Sequence, residues 1–241
     1  MPSHNAAGGT SSTGGSTTIT LSAFSAAAGS DRFLEVYCGI GTGSTPASPT
    51  SVTWGGVNCT QRGTGLSIHA NAWMSKWYLK EADFPGGATG NVVATYAASH
   101  DEHALQAKVI SDVNQSSPFR GASVTTNTGT NATPTITVSS DAADLVSGGA
   151  FDLDVSGEIT SISVSAGTSR HEIETIAGGF ECAGISDVAG SSPTLTWAVN
   201  GTDGTTAWGM MADSLQAPAG GGSKPFSGLI NLQAVNRGGF F

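Results

Sequence analysis

The patterning of this sequence predicts an all-β protein, an antiparallel β-sandwich of the jelly-roll type with an extended N-terminal arm and a C-terminal tail. Short runs rich in Val, Ile and Thr recur about every ten to fifteen residues, separated by Gly, Asn, Asp and Pro, which is typical of strands joined by turns. The chain has 34 glycines, and only 11% of its residues are charged. No segment sustains the apolar i, i+3, i+4 spacing of a helix.

The predicted strands follow one another along most of the chain: 17–21, 33–40, 50–54, 57–60, 70–79, 91–96, 103–110, 134–138, 144–146, 150–155, 160–164, 195–199 and 206–212. Gly55-Gly56 separates two of these runs and predicts a tight hairpin. The segment 200–204, Asn-Gly-Thr-Asp-Gly, is rich in residues that tolerate positive φ and predicts a second hairpin.

The two ends of the chain differ from the predicted sandwich domain, which spans residues 17–216. Residues 1–16 are mostly Gly, Ser, Thr and Ala, and their composition predicts a flexible arm. They lack the charged and apolar regions of a secretory signal, so synthesis in the cytoplasm is expected. The composition of residues 217–241 predicts a linker followed by a tail that ends in Phe240-Phe241. This apolar pair either folds back on its own sandwich or docks on a partner.

The composition argues against two classes of partner, nucleic acid and membrane. Nine Lys and Arg against 18 Asp and Glu give a formal net charge of −9, which phosphate backbones repel, so no nucleic-acid partner is expected. No apolar stretch approaches the length of a membrane span, and no basic amphipathic helix is present, so no membrane partner is expected.

The three cysteines, Cys38, Cys59 and Cys182, are odd in number and widely spaced. Buried free thiols are the favoured interpretation, because free cysteine is commonly buried. A bridge between Cys38 and Cys59 stays open as the alternative.

Two histidine-containing segments could in principle hold a divalent metal. His100-Asp-Glu-His103 does not have the spacing of a helical zinc motif, and adjacent strand residues point to opposite faces. The favoured interpretation is a polar turn leading into a strand that begins at His103. The same reasoning applies to His171, Glu172 and Glu174.

Asp152 and Asp154 lie two apart on a predicted strand and therefore share one face. Such a pair could bind Ca²⁺ or act in glycoside hydrolysis, but a solvated strand face is favoured. No catalytic, cofactor-binding or metal-binding residue is therefore assigned, no cofactor is expected, and the chain is not predicted to be an enzyme.

Three aromatic residues, Trp73, Trp77 and Tyr78, lie close together on one predicted strand. Trp73 and Trp77 would share a face and could stack on a sugar ring. A buried core or a subunit interface is the favoured interpretation.

The order of motifs resembles a β-sandwich module found in virion proteins of tailed bacteriophages. The resemblance covers roughly residues 17–216 and rests on four segments and two late tryptophans: 50–56 (TSVTWGG), 74–79 (MSKWYL), 85–96 (PGGATGNVVATY), 109–118 (VISDVNQSSP), Trp197 and Trp208. It implies a capsid decoration (cement) protein on the outer capsid surface of the virion, with the major capsid protein and further copies of itself, as a trimer, for partners. It brings no catalytic residues.

The first hypothesis is therefore a virion structural protein that bridges capsid subunits through residues 1–16 and 223–241. The alternative is a tail-fibre or host-recognition module that binds surface glycans through Trp73, Trp77 or its loops. A polysaccharide depolymerase is a third and weaker hypothesis.

Overall fold

A computed structural model describes residues 1–43, 45–154, 159–176, 181–201 and 206–218. Within these ranges two single-turn 3-10 helices, Glu81–Asp83 and Gly86–Ala88, interrupt a succession of fifteen strands. The strands are β1 (Ser3–Ser25), β2 (Phe33–Gly43), β3 (Ser51–Trp54), β4 (Val57–Asn58), β5 (Thr60–His69), β6 (Ala72–Lys80), β7 (Thr89–Ser111), β8 (Thr125–Gly129), β9 (Thr135–Thr137), β10 (Leu145–Asp154), β11 (Ile159–Ala166), β12 (Thr168–Ile176), β13 (Glu181–Ala189), β14 (Thr194–Gly201) and β15 (Thr206–Leu215). Within the described ranges no helix is long and apolar enough to span a bilayer.

The strands form three antiparallel sheets, which confirms the predicted all-β sandwich class. Sheet A has seven strands in the order β4-β3-β7-β2-β6-β5, with β1 also paired to β7. Sheet B has the order β12-β13-β10-β15-β8, and sheet C has the order β11-β14-β9. Side chains of alternating strand residues pack on both faces of sheets A and B, so the molecule is a stack of layers.

Sheet A encloses a core of its own. One buried cluster, which includes Val36, Trp54, Trp77 and Val109, is built only from strands of sheet A and their connections. A single sheet can surround such a cluster only if it curves around it. Strand β7 makes this curvature possible because the positions that it contributes to this cluster are even-numbered at its start (92, 94, 96) and odd-numbered at its end (105, 107, 109), so the face that points into the cluster changes along the strand.

The opposite face of sheet A packs on sheet B through two reciprocal contacts between an aromatic ring and a glycine. Tyr37 of β2 lies over Gly149 of β10, and Phe151 of β10 lies over Gly39 of β2. The spacing of two residues in each strand matches the alternation of strand side chains. Each ring therefore fills the space left by the glycine of the facing strand, and together the two contacts align β2 with β10.

Sheet C covers the other face of sheet B in the same manner. Trp197 of β14 is fully buried against Gly184 of β13. Trp208, Met210 and Leu195 belong to the cluster that fills this second interface. The late tryptophans thus pack between sheets B and C.

Residues 1–16, for which the composition predicts a flexible arm, are structured differently. Residues 3–16 belong to β1, which pairs with β7 from Ser3↔Ser111 to Ser25↔Thr89. The pairing shifts register near Ser16, next to Gly14 and Gly15, which have φ of 90° and 56°. Small side chains that form no core by themselves are accommodated here because β7 supplies the partner backbone. The structure describes residues 217–218 of the predicted C-terminal linker and tail. Residues 219–241, which include Phe240 and Phe241, lie outside the described part.

One predicted hairpin is confirmed and the other is wrong. Gly55 and Gly56, with φ of 55° and 85°, form the two-residue turn between the paired strands β3 and β4. Residues 202–204 of the second predicted turn lie outside the described part, but the described residues of the strands on either side do not pair with each other, because β14 belongs to sheet C and β15 to sheet B. Their apolar faces pack across two layers instead of lying side by side in one sheet.

Gly39→Ala tests the reciprocal packing of β2 on β10. A Cβ at this position would overlap the ring of Phe151, and overpacking of this kind destabilises by about 1–3 kcal/mol. Urea unfolding should therefore show a lower midpoint for Gly39→Ala. Gly86→Ala is the matched control, because no heavy atom lies within 4 Å of its added Cβ. Equal midpoints for the two variants would contradict the packing described here.

Candidate functional site: a buried ion network between sheets A and B

The most unusual feature of the interior is a set of ion pairs between sheets A and B. Lys76 of β6 lies between two carboxylates: its Nζ is 2.7 Å from Oε1 of Glu35 on β2 and 2.9 Å from Oδ2 of Asp213 on β15. Glu35 and Lys76 are fully buried, and 2% of Asp213 is exposed. Charged side chains are almost never buried to this degree unless they are paired.

The network extends sideways from these three groups. Arg62 of β5 donates to both carboxylate oxygens of Asp213, with the shortest contact 2.9 Å from Nη2 to Oδ1. Lys108 of β7 lies 3.8 Å from Oε2 of Glu35 and donates to the carbonyl oxygens of Gly148 and Ser186. At the far edge Arg170 pairs with Asp187 at 2.7 Å.

Strand register explains why these residues meet. On sheet A, Lys108 is the partner of Glu35 and Lys76 is the partner of Tyr37. On sheet B, Ser147 of β10 is the partner of both Asp213 and Asp187. Two cross-strand rows therefore face each other, and Ser147 donates a hydrogen bond from one row to Glu35 in the other.

Four cations and three carboxylates make up the network, so one positive charge is in excess when all are ionised: Arg62, Lys76, Lys108 and Arg170 against Glu35, Asp187 and Asp213. Burial is the largest influence on Lys108 and lowers its pKa to about 8. Burial acts in the same direction on Lys76, but Asp213 and Glu35 outweigh it and raise the pKa of that ammonium. Burial would raise the pKa of Glu35, yet Lys76 and Lys108 hold it below its usual range.

This arrangement favours one alignment of the two sheets. Desolvation offsets much of the attraction inside a buried ion pair, so its net stabilisation is small. Removing one partner is a different matter, since it leaves an uncompensated buried charge and typically destabilises by about 3–5 kcal/mol. A slip of either sheet would have the same effect on several groups at once.

The sequence did not lead us to this site, although it holds a signal. Glu35 and Lys108 each stand inside an otherwise largely apolar run, and Lys76 lies between Met74 and Trp77. In a chain with so few charges, an ionised residue within a strand of this kind indicates a buried partner.

Of the sequence candidates, His100 and His103 do come together, but not in a turn. Both lie inside the continuous strand β7, and both are buried, with 2% and 1% exposed. Their ring centroids are 6.0 Å apart, and Tyr96 contacts both rings. The expectation of a polar turn is wrong because β7 changes its inward face between Tyr96 and His103, which brings both rings inside. Among the described residues no three His, Cys, Asp or Glu side chains are grouped as metal ligands.

The other titratable residues that the sequence suggested lie on two different strands, β10 and β12. Asp152 is fully buried in β10, so a solvated face is wrong for this residue; the side chain of Asp154 lies outside the described part. His171 is half-buried in β12, with Nδ1 3.2 Å from the amide nitrogen of Gln106, and burial lowers its pKa. Glu172 is also half-buried, and the side chain of Glu174 is not described.

The aromatic candidates belong to the core. Trp77 is 6% exposed and donates from Nε1 to Oγ of Ser75, while Trp73 packs against the same cluster and donates to Oγ of Ser48. Tyr78 points to the other face and stacks on Phe33 with a centroid distance of 5.4 Å. The two tryptophans share one face, as expected, and on that face Trp77 is buried and Trp73 is partly buried.

Two cysteines are free and buried, which confirms the favoured interpretation for Cys38 and Cys59. Burial raises the pKa of the Cys59 thiol to about 12 and that of Cys38 further. Such thiols are poor nucleophiles at neutral pH. The side chain of Cys182 lies outside the described residues.

His103 gives the protein a pH dependence that can be measured. Burial lowers its pKa from 6.5 to about 4. Below about pH 6.5 the unfolded chain therefore binds a proton that the folded chain does not, so the free energy of unfolding falls by about 2 kcal/mol between about pH 7 and pH 5. Denaturant unfolding of His103→Leu should lack this contribution, whereas His69→Leu, at an exposed position, should retain it. Parallel pH profiles for wild type and His103→Leu would contradict the assignment.

Comparison with known proteins leaves the geometry as the guide to function. No protein-family model, no curated protein and no solved structure matches this chain.

Proposed function

We propose that this chain is a structural protein of a tailed-bacteriophage virion, a decoration protein that bridges subunits on the outer capsid surface. The resemblance of residues 17–216 suggests the class, and the net charge of −9 suits an outer surface better than a surface that faces DNA. The strand that forms one edge of sheet A indicates how bridging would work.

Strand β1 is the observation that carries the proposal. It is 23 residues long and pairs with β7 on one side only, and within the described ranges no strand pairs with its outer edge. From Ser3 to Ser25 it holds no proline and no Lys, Arg, Asp or Glu. Proteins usually protect long edge strands with such residues, because an open edge accepts a further strand.

The partner in this proposal is an extended segment of the major capsid protein that adds to β1 by main-chain hydrogen bonds. Strand addition derives its affinity from the backbone, and the small side chains of β1 leave that backbone accessible. Most side chains from Ser11 to Ala23 are exposed, and this stretch lies beyond Gly9, which approaches His171 of β12. Bridging is thus assigned to the edge of a strand instead of a flexible arm.

The alternative, a host-recognition module that binds glycans, has less support. It depends on Trp73 and Trp77, whose faces are used in the core of sheet A. Loop residues would have to provide the stacking surface.

Substitution of two exposed threonines by lysine on the open edge of β1 tests the proposal. Thr18 and Thr20 are exposed on β1, and charges there should block strand addition without disturbing the core. Capsids of the encoding phage, stripped of this protein, should bind Thr18→Lys/Thr20→Lys at least about tenfold more weakly than wild type, which corresponds to about 1.4 kcal/mol.

The matched control is Thr194→Lys/Thr196→Lys, on β14, which is paired on both sides within sheet C. Occupancy, measured by co-sedimentation and by electron cryomicroscopy of the particles, should be unchanged for this variant. Equal occupancy of the β1 variant and wild type would count against bridging through β1. Density located on the tail would count against the capsid role itself.

A further inference from the structure

The centre of the ion network has the groups that a condensation reaction needs. These groups are Lys76, Asp213 and Glu35. The amine nitrogen of Lys76 donates to Oδ2 of Asp213 at 2.9 Å, and the carbon of that carboxyl lies one bond beyond. Oε1 of Glu35 lies 2.7 Å from the same nitrogen. A nucleophile, an electrophilic carbon and a proton acceptor are thus in contact.

The surroundings exclude water from these groups. Glu35 and Lys76 have no exposed surface, and Asp213 has 2%. Aromatic rings complete the enclosure: Nζ of Lys76 lies 5.3 Å from the ring centroid of Tyr37 and 5.8 Å from that of Phe119. Condensation of an amine with a carboxyl releases water and is opposed by bulk water, so a dry site favours the amide.

We propose that Lys76 and Asp213 condense after folding into an intramolecular isopeptide bond, with Glu35 as the proton carrier. A bond forms between Nζ of Lys76 and Cγ of Asp213, and a bond breaks between Cγ and one carboxylate oxygen. The ammonium and the carboxylate become a neutral amide and one water molecule. No oxidant, reductant or other co-reactant is needed.

Glu35 has a definite task at each stage. Its carboxylate accepts a proton from the Lys76 ammonium, which frees the lone pair of the amine for attack. The resulting acid then donates that proton to the departing oxygen, which takes its second proton from the attacking nitrogen and leaves as water, and Glu35 is again a carboxylate. Ser147 donates to the other oxygen of Glu35 and holds the carboxyl in place.

Arg62 stabilises the charge that develops during attack. Its guanidinium donates to both oxygens of Asp213, so it is positioned to stabilise the negative charge on the tetrahedral intermediate. It also stabilises the starting carboxylate, and the ion-paired state of Lys76 is the favoured one. The reaction is therefore slow. It has to occur only once in each molecule, and fixed contact between reacting groups can replace much of the barrier of a bimolecular reaction.

The bond would connect β6 of sheet A to β15 of sheet B, between residues that are 137 apart in the chain. A cross-link over such a loop stabilises chiefly by restricting the unfolded chain. This inference does not depend on the virion role, because it follows from the interior alone.

Intact-mass measurement of the wild-type protein is the primary test. Folded protein, after prolonged incubation, should be lighter than its sequence by the mass of one water molecule, and digestion should yield a branched peptide that joins Lys76 to Asp213. The measurement needs no variant, so misfolding cannot obscure it. A wild-type mass that remains equal to that of the sequence would overturn the proposal.

Loss of water with no branched peptide would equally overturn the proposal, because cyclisation at Asp203-Gly204 removes the same mass.

Variants then test the roles of Lys76 and Glu35 in the reaction. Lys76→Arg keeps the charge but should show no water loss, and Glu35→Gln should abolish or greatly slow it. Lys80→Arg, on the same strand outside the network, is the matched control and should react like wild type.

Discussion

The contact of β2 with β10 is the constraint on which the rest of the architecture depends. Three positions of β2 face three positions of β10 in the same order: Glu35 with Ser147, Tyr37 with Gly149, and Gly39 with Phe151. The first pair belongs to the ion network, and the other two fit a ring into the space over a glycine. A slip by two residues in one direction would place the ring of Tyr37 against that of Phe151, and in the other direction it would place Gly39 against Gly149. Either slip would separate Glu35 from Ser147, its hydrogen-bond donor. Shape and charge therefore specify the same alignment.

Both neighbouring interfaces rely on this alignment. The other face of β2 contributes Val36 and Cys38 to the core that sheet A encloses, and the other face of β10 contributes Val146 and Ala150 to the interface with sheet C. Since a strand is stiff across its width, fixing one face of β2 and β10 fixes both. The ion network also lies between sheets A and B, where a covalent bond from one sheet to the other would directly oppose their separation.

Local sequence signals were enough to predict the fold class, but they could not predict which distant segments pair. The Gly55-Gly56 turn is predictable because its two residues determine the hairpin between them. For 200–204 the same type of signal was misleading, because whether adjacent strands pair or pack across layers depends on cores formed by distant residues. Residues 1–16 carry no apolar pattern, and their strand conformation depends on pairing with the distant strand β7. The ion network was missed for a related reason: Glu35, Lys76 and Asp213 are far apart in sequence, and none has a local motif.

Native-state hydrogen exchange measures most directly whether the sheets are held together as one unit. Amides that open only in global unfolding share a single free energy of exchange, whereas separable units exchange at lower values. If the aligned contact governs the fold, the slowest amides of β2 and of β10 will exchange with the same free energy, equal to that of global unfolding. The account would be contradicted if β10 and the rest of sheet B exchanged at a distinctly lower free energy while β2 remained protected.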